Sequence, residues 1–393
     1  MSHHTKPDHP KRPGGRRMFA IIAALVLAFA FAACGDDETE TGASGSGSGS
    51  GGGDATASEG VEEAQAKLEP YLAAPTEITI TEPLESAPPS GKKIVMLGTA
   101  DPNNVKLQRS LKELAGLADW EYEQVSYDPA NPATFNAAVN TAITKGADYV
   151  AEAGVPLTAA VIKKVEDAGA KWVLTSVHPA EVTGPVIVNA NAYENDEEMG
   201  KALAYWFIAD SGGTGNVLME HVPAYPILTG FVDGFQGEVD ALCPDCEVKI
   251  QEITIPDLAA GKVPSVMVSA LRSAPDTEYL AFDVGPFAAG IDSALASAGM
   301  TDKVKIIGEA ADEAAIAGLK SGKHAAWTGF DPVYSTYVMM DAMFRDALGM
   351  EIDQSKAAIQ PTQVLTPDNV GDIDTWAEPQ DALEQFKTLW QIQ

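Results

Sequence analysis

The chain has 393 residues, 45% of them hydrophobic, and a formal charge of −30. That length suits two domains of ordinary size with real cores. The acidic balance repels phosphate backbones and anionic lipid, so nucleic acid is a poor partner and no basic patch can hold the chain to a membrane. A basic start (Lys6, Lys11, Arg12, Arg16, Arg17) leads into an uncharged apolar run, 18–33, that ends on small residues before Cys34. This is the order of an export signal. The 16 apolar residues fall short of the roughly 20 that span a bilayer comfortably.

The cysteine after Phe31, Ala32 and Ala33 resembles a bacterial lipobox. The resemblance implies cleavage before Cys34, lipidation of its thiol and attachment to the extracytoplasmic face of a bacterial membrane. The alternatives are a transmembrane anchor or a signal cut elsewhere. Arg16, Arg17, Met18 and Phe19 also resemble a twin-arginine export signal, which would imply export after folding. Removing residues 1–33 takes away five basic side chains and one acid, leaving 21 basic and 55 acidic residues, a net −34.

Residues 34–60 are rich in Gly, Ser and acid and read as a flexible tether. An N-terminal extension, 61–92, follows. Val61, Ala64, Leu68 and Tyr71 predict a helix over 61–74, and 75–92 is Pro-rich and extended. From Lys93 short apolar runs alternate with amphipathic helices. Strands are predicted at 94–97, 121–127, 148–153, 172–175 and 186–189, with helices between them striped by Leu107/Leu111/Leu114, Phe135/Val139/Ile143 and Leu157/Val161/Val165. No helix follows 186–189 at once. The alternation restarts with a helix headed by Asn195 or Asp196 and striped by Met199, Leu203 and Phe207. Further strands fall at 216–219, 247–253, 279–282, 304–307 and 325–329, with helices near 227–242, 263–272, 287–298, 312–320 and 332–348. A last strand lies near 360–365 and a terminal helix near 378–389. Strict alternation argues for parallel βαβ units, and the Val/Ile/Leu/Met runs suit strands covered on both faces.

Cys243 and Cys246 close the helix that ends near 242. Outside the cytoplasm a small local disulfide is the first reading; free thiols, a redox pair or half a zinc site are the others. A zinc site would need two more ligands, and no second pair lies nearby, so no metal is expected.

The pieces and their order resemble the type I periplasmic binding proteins, in particular the ribose- and sugar-binding branch. They are Lys92–Gly98, Asp128–Pro132, Gly146–Tyr149, Asp167–Thr175, Ala288–Gly299, Ile306–Gly308, Ile316–Ala326 and Asp331-Pro332. The match covers about 93–370. It implies an α/β fold of two doubly wound, Rossmann-like parallel-sheet lobes. One would hold 93–190 plus 332–362 and the other 191–331 plus 363–393, with three crossings near 190–194, 330–332 and 362–368 forming a hinge. It also implies a monomeric solute receptor for an ABC permease, with a sugar as ligand, no cofactor and no catalysis.

Sugar hydroxyls need carboxylate or amide partners, and the apolar sugar face needs a ring. The strand-end loops offer Asp101, Asn103 and Asn104, which also read as an ordinary turn. They offer His178, where relatives carry Asp-Arg, and Tyr225. Phe231, where relatives carry Arg, is either a stacking ring or core. Asp283 ends its strand within a residue of a family Asn-Asp. Phe330 lies where ribose binders use Gln, with Asp331 next to it, and both are equally placed for the hinge. The family aspartate after Gly308 is Ala310 here, with Glu309 or Asp312 as substitutes. These departures suggest a larger or less polar ligand than a free pentose. An exported enzyme is the rival, but the chain has no Gly-x-Ser-x-Gly, His-Glu-x-x-His or phosphate-loop motif. A sensory receptor without transport would share every residue named.

Overall fold

The computed structural model describes residues 53–129, 131–178 and 181–392. The expectations for the export signal, Cys34 and most of the tether lie outside the described residues. Helix α1 (Gly53–Leu72) precedes the first sheet. That sheet is built from β1 (Lys93–Gly98), α2 (Pro102–Leu117), β2 (Glu121–Ser126), α3 (Pro132–Thr144), β3 (Tyr149–Glu152), α4 (Ala159–Asp167), β4 (Lys171–Leu174) and β5 (Val186–Asn189). Its order is β2-β1-β3-β4-β5 and every pairing is parallel. The apolar run of β1 is split by the pleat. Ile94 and Met96 join a core with α2, whereas Val95 and Leu97 join one with α3 and α4. Burial on both faces is why these strands read as continuous apolar runs.

The second half contains α5 (Tyr193–Ser211), β6 (Asn216–His221), α6 (Thr229–Leu242), β7 (Glu247–Glu252), α7 (Ile255–Ala259), α8 (Val263–Ser273), β8 (Tyr279–Phe282), α9 (Ile291–Ala298), β9 (Lys305–Gly308), α10 (Glu313–Lys320) and β10 (His324–Thr328). Then come α11 (Pro332–Leu348), α12 (Asp353–Lys356), β11 (Val364–Leu365) and α13 (Ala382–Leu389). The second sheet has the order β11-β10-β9-β8-β6-β7, parallel except for β11 against β10. Tyr279 and Ala281 face α5 and α6; Leu280 and Phe282 face α8, α9 and α10. Helices α5 and α6 pack flush. A Cβ on Gly200 would meet Phe231 O at 2.3 Å, and one on Gly234 would meet Glu197 O at 2.1 Å. Cys243 and Cys246 are bonded at the end of α6.

Helix α11 returns to the first lobe, where Tyr334, Val338 and Phe344 join its core. The tail divides. Leu365, Val370 and Trp376 pack in the second lobe, but Ala382, Phe386, Leu389 and Trp390 pack in the first. The assignment of all of 363–393 to the second lobe is therefore corrected. The apolar face of α13 lies against Tyr334 and Phe344, and Trp390 Nε1 donates to Asp341 Oδ1 at 2.9 Å. The start of α5 is corrected too. It begins at Tyr193 behind Ala192, so Asn195 and Asp196 lie inside its first turn and neither caps it.

Three central crossings join the lobes and bond to one another. The Gln360 backbone N–H donates to Asn195 Oδ1 at 2.8 Å, and its side-chain amide donates to Ala190 O and Ser335 Oγ. Gly329 N–H donates to Gln363 O at 2.7 Å. The terminal segments cross as well. Ala64 and Leu68 of α1 sit in the second lobe, Ile80 and Leu84 in the first. Leu72 O accepts from Gln363 and Asn369, while Gln385 bonds both the Thr76 carbonyl and the Ile78 N–H.

Candidate functional site

In an open parallel sheet, ligands sit beyond the carboxyl ends of the strands. The strand-end loops of both lobes meet there. In the first lobe Asp101 is exposed and caps α2, accepting from the N–H groups of Asn103 and Asn104 at 3.0 and 3.1 Å. Asn103 is exposed; Asn104 is buried. Asn104 accepts from Thr99 N–H at 2.9 Å and donates to Ala153 O, tying the loops after β1 and β3 together. Asp101 Oδ1 and the Asn104 amide are therefore spent on the chain itself. Glu152, at the end of β3, is fully buried. Its Oε1 accepts from Tyr127 Oη and Val155 N–H, both at 3.0 Å, and its Oε2 has no partner. Burial pushes this carboxyl up to about 8.

His178 follows β4 and Tyr225 follows β6, so they belong to different lobes. The structure brings their rings together edge to face, centroids 6.1 Å apart. Burial lowers the imidazole below its ordinary value. Tyr225 in turn stacks on Phe287, at 6.5 Å and 22°. Phe287 was missed in the sequence, although its place in the loop after β8, behind Gly285 and Pro286, is the signal that could have found it.

Phe231 is not with them. It is fully buried in the second core, 6.1 Å from the Phe235 ring, because the flush packing of α6 on α5 turns it inward. The stacking role considered for Phe231 is therefore corrected to a core role. Asp331 caps α11 through Val333 N–H at 2.9 Å, and burial pushes it up to about 6, with Lys106 nearby opposing the shift. Phe330 is half-buried beside it in the central crossing. Asp312 caps α10 and accepts from Ala315 N–H at 2.8 Å.

Asp283 is fully buried at the end of β8. Its Oδ2 accepts from Val222 N–H at 2.8 Å and meets His221 Nδ1 at 3.0 Å; its Oδ1 has no partner. Around it stand three acids that no sequence pattern joins. They are Glu220 at the end of β6, Glu309 after β9 and Asp196 in the first turn of α5. Burial and the nearby Asp283 push Glu220 up to about 9. Burial first, and then Asp283, hold Asp196 well above the carboxylate range; burial, Asp196 and Asp283 do so for Glu309. Ala310, next to Glu309, is held at φ +51°, a left-handed conformation rare for a residue with a Cβ. Among the described residues no group of three or more His, Cys, Asp or Glu is arranged to hold a metal ion. A groove of about 1300 Å³ lies at the opposite end of the second sheet, lined by Tyr279, Lys305 and His324, and contains none of these acids.

Residues 94–350 match the model of a periplasmic binding protein domain. The chain belongs to the periplasmic binding protein family. No curated protein matches it. Solved structures of the same fold do. A periplasmic ribose ABC transporter protein from Conexibacter woesei is 15% identical, with a TM-score of 0.61 over 76% of this chain and 98% of that one. An ABC transporter periplasmic solute-binding protein from Actinobacillus succinogenes with bound D-allose is 17% identical, with a TM-score of 0.58 over 72% and 100%. An ABC transporter solute-binding protein from Burkholderia graminis in complex with D-arabinose is 19% identical, with a TM-score of 0.59 over 75% and 100%. The periplasmic binding protein family accounts for the two parallel sheets. Its model stops short of α13, and begins after α1.

Proposed function

We propose that this periplasmic binding protein captures a sugar or sugar-like solute between its lobes and hands it to an ABC permease. The carrying observation is the meeting of His178 with Tyr225 and Phe287 across the strand-end loops. A ring face beside buried acceptors suits a molecule with one apolar face and several hydroxyls. Asp283 and the half-buried pair Phe330 and Asp331 would complete the wall, with Asn103 at the rim. The central crossings at 190–192, 329–331 and 360–363 would act as the hinge. The sugars named for three structural neighbours support the ligand class. Binding without catalysis is the reading the family supports, and it needs no cofactor.

The receptor would work outside the cytoplasm as a monomer, tethered by lipid on Cys34. No helix among the described residues is long and apolar enough to cross a membrane. The bonded Cys243–Cys246 pair suits an oxidising compartment. Cys34→Ser should release the protein from the membrane fraction; retention of that variant would rule out the lipid anchor.

A thermal-shift screen against sugars, polyols, nucleosides and amino acids tests the ligand class. A ligand at about 100 times its Kd adds about 2.7 kcal/mol of stability. A response to another class and to no carbohydrate would overturn the sugar assignment.

A further inference from the structure

We propose that Asp196, Asp283 and Glu309 receive a positively charged nitrogen of the solute, so that the cleft prefers an amino sugar, or a comparable aminopolyol, to its neutral counterpart. The inference rests on the receptor reading and narrows its ligand.

The three acids come from three elements, α5 and the ends of β8 and β9, and converge on one side of the second sheet. Asp196 is 5% exposed; Asp283 and Glu309 are 0% exposed. Strand parity places them together. Tyr279, Ala281 and Ile307 face α5, so two residues on from Ala281 and from Ile307 the chain faces α5 again, at Asp283 and Glu309. Four of their oxygens have no hydrogen-bond partner: Asp196 Oδ2, Asp283 Oδ1 and both of Glu309.

Nor does a cation from the chain offset them. Among the described residues no lysine or arginine pairs with any of the three. The fully buried arginine, Arg345, is bound to Asp341 in the other lobe. His221 touches Asp283 alone of the three. Without a counter-charge, burial keeps Asp196 and Glu309 protonated, and a cation entering the cleft would return them to carboxylates; amide side chains would supply acceptors for neutral hydroxyls far more cheaply. An ammonium group brings three donors and the missing charge together. Rings at the same site favour a cation as well.

The cluster is continuous with the ring face. Asp283 Oδ2 holds the N–H of Val222, which opens the Tyr225 loop. Gly285 N–H, two residues before Phe287, donates to Ala310 O, next to Glu309.

The test uses matched pairs on the purified exported domain by calorimetry: glucosamine and glucose, galactosamine and galactose, mannosamine and mannose, with putrescine as a sugar-free cation. We expect the amino member of the recognised pair to bind about tenfold or more tightly, as charge-assisted hydrogen bonds imply. Glu309→Gln, or Asp196→Asn if the first variant does not fold, should abolish that preference, read as the ratio of the two affinities. Equal or tighter binding of the neutral member, or a preference that survives both substitutions, overturns the inference and leaves the sugar reading intact. Binding of putrescine without any sugar overturns the sugar reading and supports the carboxylate site. No binding by any of the seven overturns the inference, and the broader thermal-shift screen then decides the sugar reading.

Discussion

In the first lobe Asp341 is fully buried, yet both its oxygens are taken. Oδ2 accepts from Arg345 Nε at 2.7 Å and Ser355 Oγ at 2.6 Å, and Oδ1 accepts from Trp390 Nε1 at 2.9 Å. In the second lobe Asp196, Asp283 and Glu309 are as deeply buried, and four of their oxygens have nothing. The same chemical group thus serves opposite ends. Asp341 fastens α11 to α12 and α13, and Arg345 extends the network to the Glu82 carbonyl in the N-terminal extension. Buried charge that is fully paired reads as architecture. Buried acids left without partners, and held protonated by that burial, read as reserved for a molecule from outside the chain.

The contrast can be broken at its strongest point. Asp341→Ala leaves Arg345 buried without its carboxylate, and we expect a loss of about 3–5 kcal/mol in denaturant unfolding. A loss under about 1 kcal/mol would mean that the paired acid does not hold the first lobe together. Phe231→Ala and Tyr225→Ala sharpen the contrast within the second lobe. The first empties a core site and should cost about 3–5 kcal/mol of stability. Tyr225→Ala should cost about 1 kcal/mol or less of stability but weaken solute binding by about tenfold or more. Equal stability losses in the two variants would show that Tyr225 is core as well.

Protonation separates the lobes next. Glu152 and Glu220 are raised from 4.5 to about 8 and about 9. The folded protein therefore holds protons that the unfolded chain has released. The resulting stability is fully present below about 4.5 and drains away as pH rises toward 8–9. We expect the Tm of ligand-free protein to fall from pH 5 to pH 8. Glu220→Gln should flatten that slope more than Glu152→Gln, because Oε1 of Glu152 already accepts two hydrogen bonds. The reverse order would place the larger proton reserve in the first lobe. The smallest effect is expected at the terminal crossing. Gln385→Ala removes bonds to Thr76 and Ile78 and should cost about 1 kcal/mol, measured by the same unfolding.

Much of this architecture was legible because parallel strands covered on both faces leave apolar runs, as in Ile94–Leu97, and the covering helices leave stripes, as in Phe135/Val139. The terminal helix near 378–389 was legible as well. A stripe says that a helix packs, however, and not on what, so the tail was assigned to the wrong lobe. The acid cluster was harder to see. Asp196 read as a possible cap of its helix, and its burial arises only when residues about 90 and 110 positions later converge on it. Asp283 was named from its strand end alone, and Glu309 only as a stand-in for the aspartate that Ala310 replaces. Tyr225 and His178 were named singly; their meeting across the lobes is tertiary information.

Capture between the lobes can be tested by pinning them. A His178→Cys, Tyr225→Cys double variant, oxidised to mixed disulfides with a short bis-methanethiosulfonate linker, should tie the two strand-end loops together, the linker spanning the space the two rings leave. With the solute identified by thermal shift, calorimetry on the oxidised variant should show binding lost, and reduction of those disulfides should open the cleft and recover it to the extent that the two missing rings allow. Undiminished binding by the oxidised variant would contradict the account, because the solute would then be held somewhere other than between the lobes.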